Sequence, residues 1–74
     1  MDAWVRVNRL ITWEMVNAGL SREKLAQMAE ITPHTLHSRL GYVHEWKLTE
    51  LCQVASVLHI PADQITNAML GERS

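Results

Sequence analysis

A chain of 74 residues can enclose one small hydrophobic core. Seven Lys and Arg against eight Asp and Glu give a net charge of −1, which excludes a broad basic surface for non-specific nucleic-acid binding and leaves only local arrangements of charge. Cys52 is the only cysteine, so no intramolecular disulfide forms, and it is expected as a small buried residue of the core. No apolar run approaches the roughly 18 residues of a membrane span, and Asp2 and Arg6 do not give the layout of a signal peptide. The expectation is a soluble, cytoplasmic protein with a single domain over residues 1–74 and no membrane partner.

From Ala3 to Ala18, Trp4, Val7, Ile11 and Met15 recur at helical spacing, and Gly19 stands where a left-handed residue ends a helix. Val5, Trp13 and Val16 lie off that stripe, so this first helix is apolar over much of its girth. Residues 21–41, SREKLAQMAEITPHTLHSRLG, then read as two short helices with Glu30 and Ile31 in the break between them. Ser21 and Thr32 are good N-caps, and Pro33 at the first helical position gives up only an N–H that has no partner there. Leu25, Ala26 and Ala29 share one face of the second helix. Leu36 and Leu40 share one face of the third, which leaves His34, His37 and Ser38 pointing away.

Gly41 to His44 form a short loop. A fourth helix from about Glu45 to His59 carries the stripe Leu48, Leu51, Cys52, Ala55 and Leu58, with Trp46 packed over the open end of the bundle and its indole N–H wet. The segment 61–74 starts a fifth helix at Pro61, carries Ile65, Met69 and Leu70, and ends in a polar tail. Val54, Val57, Met69 and Leu70 form either a dimer surface or, if helix 5 folds over the valines, the last part of the core. The fold class is all-α, five helices without a strand.

Two short helices joined by so tight a break form a helix-turn-helix, which points to double-stranded DNA. Arg22, Lys24, Arg39 and Lys47 fall in or beside it, diluted by Glu23, Glu30 and Glu45. His34 and His37 suit hydrogen bonds to bases or phosphates better than metal ligation with His44 or Cys52, because no recognisable ligand spacing is completed. The run His44-Glu45-Trp46-Lys47 begins like a metalloprotease helix but lacks its second histidine, and no nucleophile is paired with a base. Neither an enzyme nor a cofactor is expected.

Ser21, Leu25, Ala26, Ile31, Thr35, Leu36, Leu48, Leu51, Ala55, Leu58, Ile60, Asp63 and Ile65 together resemble, without a gap, the pattern of the lambda-repressor-like family of Cro and Xre-type regulators, over residues 19 to 66. The resemblance implies a compact five-helix DNA-binding domain with the helix-turn-helix at helices 2 and 3, helix 3 lying in the major groove. It further implies a transcriptional regulator, often of phage origin, here a Cro-like repressor of a palindromic operator, acting as a homodimer that can form on the DNA itself. Carried over by position, Thr32, Pro33, His34, Thr35, His37 and Ser38 make the groove face. Ser21, Arg22, Arg39 and Lys47 make the phosphate contacts, Arg22 standing where the family commonly has glutamine. Two further positions depart from the pattern: Glu30 replaces the usual turn glycine, and Arg39 replaces an apolar residue, to reach a phosphate or pair with a nearby carboxylate. A protein-binding module on the same fold, antitoxin-like or an anti-repressor, is the alternative.

Overall fold

The computed structural model describes residues 3–41 and 45–71. Within them the chain forms five helices and no strand: α1 (Ala3–Asn17), α2 (Arg22–Met28), α3 (Pro33–Leu40), α4 (Leu48–Leu58) and α5 (Ala62–Leu70). The loop expected at Gly41 to His44 and the polar tail lie largely outside the described residues. None of the described helices is long and apolar enough to cross a membrane. α1 packs on α5 and α4, while α2 packs on α3 and α4. The core fills the space between them with Val7, Ile11, Leu25, Leu36 and Val54 fully enclosed; each such side chain contributes about 1.5–3 kcal/mol by leaving water.

Three of the four connections are built to one plan. Gly19, Glu30 and His59 each take a left-handed backbone, with φ of 71°, 61° and 57°. In each case its N–H and the next one fold back onto the helix just finished: Gly19 to Val16 O and Leu20 to Met15 O, Glu30 to Gln27 O and Ile31 to Ala26 O, His59 to Ser56 O and Ile60 to Ala55 O. These bonds satisfy carbonyls that a helix end leaves without partners. The second residue of each pair, Leu20, Ile31 or Ile60, is apolar and sits in or against the core. It also precedes the N-cap of the next helix (Ser21, Thr32 or Pro61). That is the place from which an apolar residue staples the first turn by meeting the residue five positions on, here Leu25, Leu36 and Ile65.

At the end of α3 the Gly41 N–H returns to the His37 carbonyl at 2.8 Å, and side chains tie the described residues on either side of the connection to α4. Asn8 on α1 donates from Nδ2 to the carbonyl of Arg39, 3.0 Å away near the end of α3. Its Oδ1 accepts from the indole Nε1 of Trp46 at 2.7 Å. Trp46 is therefore buried with its N–H satisfied inside the protein, not wet as the sequence suggested. The reason is Asn8, a polar residue placed in the seam of α1 between Trp4 and Ile11.

The buried side of α4 is Leu51, Val54 and Leu58, about 60° round the helix from the expected stripe. Leu48 is 76 % exposed and Cys52 is exposed, so neither belongs to the core. Of the expected dimer surface Val54 is fully enclosed and thereby removed, Val57 and Met69 are partly buried against the core, and Leu70 is exposed. α5 rests mainly on α1, where Arg6 donates to the carbonyls of Ala68 at 2.6 Å and Met69 at 3.2 Å. A cation at a helix C-terminus is favoured by the helix dipole. Gly71 closes α5 at φ 68°, and a Cβ there would lie 3.0 Å from the Arg6 guanidinium, so two constraints call for glycine. Trp13 and Val16 on α1 stay 65 % exposed.

Two stability measurements follow. Asn8→Ala strands the Trp46 N–H in the interior and should lower the unfolding free energy by about 1–3 kcal/mol in urea titration. Glu30→Gly removes the left-handed strain of a residue with a Cβ and should raise it by about 1 kcal/mol.

Candidate nucleic-acid interface

α2 and α3 start from caps of the same kind. Ser21 Oγ accepts from the Lys24 N–H at 3.1 Å, and Thr32 Oγ1 accepts from the Thr35 N–H at 3.0 Å. Thr32 also gives its hydroxyl proton to Thr35 Oγ1 at 2.8 Å, which fixes both side chains and leaves Thr35 half-buried. Glu30 accommodates the tight turn by taking the left-handed conformation itself, without a shift of the turn. Leu36 and Leu40 anchor α3 in the core, and Thr32, Pro33, His34 and His37 remain exposed on its outer side.

Arg22, at the start of α2, reaches across to α3: its Nη1 lies 3.3 Å from His37 Nδ1. An arginine can only donate, so in this contact His37 accepts at Nδ1. The Arg22 guanidinium is held beside the exposed His37 ring. Lys24 adds a second exposed cation and Glu23 an exposed anion.

No protein-family model, curated protein or solved structure matches the chain. Its surface chemistry is thus the basis for a functional assignment. Among the described residues no three His, Cys, Asp or Glu side chains converge as a metal site, and His44 lies outside them.

Two expected contact residues are not available. Ser38 is only 8 % exposed, buried on the same helix as Leu36 and Leu40, and this takes it off the groove face. Arg39 makes the carboxylate pairing rather than the phosphate contact. Its Nε and Nη2 donate to Glu50 Oε1 and Oε2 at 2.8 and 3.0 Å, with both side chains 12 % exposed. Lys47 remains exposed, and its backbone N–H donates to the same Glu50 Oε1 at 3.1 Å.

Asn8, Trp46 and Glu50 are thus the residues that hold α3, and the sequence reading did not assign them that role. A signal existed for two. Glu50 stands three residues after the α4 N-cap, where a carboxylate commonly closes back onto the cap N–H, and Asn8 interrupts an apolar seam.

The Arg39 hydrogen bonds hold the Glu50 carboxyl below its usual range, against the opposing effect of burial and with lesser help from the Lys47 N–H. A carboxylate with a lowered folded-state value stabilises the fold above its ordinary value of 4.5, and this contribution is lost as pH falls through the lowered value. Glu50→Gln should therefore be less stable than the parent at neutral pH, and the gap should narrow as pH drops from about 5 to about 3. Urea titrations at several pH values measure it, and a gap independent of pH would remove the ion pair from the account.

Proposed function

We propose that this protein is a sequence-specific DNA-binding transcriptional regulator on a lambda-repressor-like helix-turn-helix fold, a Cro-like repressor that lays α3 in the major groove. The observation that carries this reading is the outer side of α3. Thr32, Pro33, His34 and His37 stand exposed next to Arg22 and Lys24, while the opposite side is locked into the core through Leu36 and Leu40. A rigidly mounted helix with an exposed polar side and cations at its flank suits entry into the groove, with cations meeting the phosphates and short polar side chains meeting the base edges.

On this reading Arg22, Lys24 and Lys47 neutralise phosphates, and Ser21 and Thr32 line the approach. His34 and His37 read bases. With Nδ1 engaged by Arg22, Nε2 is the ring nitrogen left to donate, which suits an acceptor such as guanine O6 or N7, adenine N7 or thymine O4. Arg39, bound to Glu50, makes no DNA contact. With three cations engaged, the log of affinity should fall with the log of salt at a slope of about −3, a shallow dependence for a DNA binder.

The alternative is a protein-binding module on the same helices, favoured by Trp13 and Val16, each 65 % exposed on α1. Selection from a random duplex library at low salt separates the two. The expected result is an enriched motif that is lost or relaxed in Arg22→Ala and in His34→Ala/His37→Ala, both with unchanged helical circular dichroism. A folded parent protein that enriches nothing would overturn the DNA reading in favour of the protein-binding one.

A further inference from the structure

Arg22 and His37 join α2 to α3 across the exposed side of the two helices, with Nη1 and Nδ1 3.3 Å apart. The bond has a chemical condition. A guanidinium has no lone pair to offer, so the contact forms only while His37 Nδ1 keeps its own. An imidazolium carries a proton on both ring nitrogens, so protonation removes the acceptor and leaves two cations side by side. The other charged groups on the elements packed against α3 hold their state. Glu23 and Lys24 on α2, Glu30 in the turn and Lys47 before α4 are exposed. Arg39 is closed on Glu50, and α1 meets α3 through the uncharged Asn8. Carboxylates, lysine and arginine keep their charge between about pH 5.5 and about pH 8, where imidazole changes its own. His34, one turn before His37, is the second imidazole exposed on α3.

We propose that this contact is a proton-controlled specificity element: neutral His37, held at Nδ1 by Arg22, reads a base, and protonated His37 releases Arg22 and becomes an unselective cation. The proposal deepens the DNA reading of α3 and rests on it. In the neutral state one ring nitrogen is occupied, which leaves Nε2 as the only one able to meet a base. One donor in one orientation is what distinguishes an acceptor on a base edge from the amino group of cytosine. On protonation both nitrogens donate and the ring is free to turn, so a phosphate oxygen satisfies it as well as a base does. Arg22 is thus a positioning residue: beyond its own phosphate contact, it decides how His37 meets the base. The added charge raises attraction to any duplex and steepens the salt slope by about 0.9. Acid therefore moves affinity and specificity in opposite directions. An exposed histidine without Arg22 would gain charge in acid but would have no positioned state to lose.

The contact is tested first in the free protein, by NMR. Between about pH 8 and about pH 5.5 the Arg22 guanidinium signals should move along the same curve as the His37 ring protons. They should do so in His34→Gln as well, and stay in place in His37→Gln, whose amide keeps an acceptor that does not titrate. All three positions are exposed, so the variants should keep their helical circular dichroism. Affinities for the duplex selected at low salt, and for that duplex changed at one base pair at a time, then measure discrimination. In the parent, discrimination at the base pair that His37 reads should fall about three- to tenfold over the same pH range, while affinity for unselected duplex rises. Arg22→Ala should show the lower discrimination already at the alkaline end and lose little more in acid, and His37→Gln should discriminate equally throughout. Arg22 signals that ignore the His37 titration overturn the inference, as does discrimination that stays constant in the parent or falls as steeply in Arg22→Ala. A contact that follows the His37 titration in a protein that selects no duplex overturns the DNA reading and with it the specificity role.

Discussion

The placement of α3 depends on one chain of hydrogen bonds running from Trp46 through Asn8 to the Arg39 carbonyl, and from the Arg39 guanidinium to Glu50. α3 has eight residues, too few to hold a helix in water unaided. Its N-terminus is secured by Thr32 and by the backbone of the turn. Its C-terminus is tied to α1 and α4 by side chains. Asn8 uses both ends of its amide, one on α3 and one on Trp46. Glu50 likewise uses one carboxylate twice, to begin α4 and to bind Arg39. Helices α1, α3 and α4 meet through these four side chains, so the orientation of the exposed side of α3 is a property of the whole bundle.

The local rules were legible from the sequence, and the tertiary ones were not. Ser21, Thr32, Pro33 and Gly19 announced helix ends because their chemistry acts within a few residues. Glu30 was marked only by the resemblance, as the residue standing where that family has its turn glycine, whereas nothing marked His59, since nothing in a histidine announces a left-handed conformation. α4 was read with the wrong phase because Leu48 and Cys52 are apolar and fit a stripe at 48, 51, 52, 55 and 58 as well as Val54 fits the true one. Composition alone does not distinguish two apolar faces of one helix; only the position of α1 and α2 decides which is covered. Arg39 offered two outcomes from sequence, and the presence of Glu50 eleven positions on selected one. Trp46 could not be placed without knowing that Asn8, 38 positions earlier, would meet it.

The exposed surface divides by chemistry. The α2–α3 side gathers hydroxyls, imidazoles and cations, and the α4 side is apolar and neutral. On the α2–α3 side Arg22 and Lys24 stand among the exposed anions Glu23 and Glu30, and Arg39 is neutralised internally by Glu50.

The contact between Arg6 and the end of α5 bears on how the chain is made. Arg6 meets the carbonyl of Ala68, a partner 62 positions later in the sequence. At a synthesis rate of about 5–20 residues per second, that partner is added about 3 to 12 s after Arg6. The connections at Gly19, Glu30 and His59 can close as soon as their own few residues are available, so the earlier helices can be linked while the side of α1 that receives α5 is still open. The nascent chain therefore exposes apolar surface on its oldest helix until its last helix arrives, and that interval is when it is most open to capture by a chaperone or by another nascent copy.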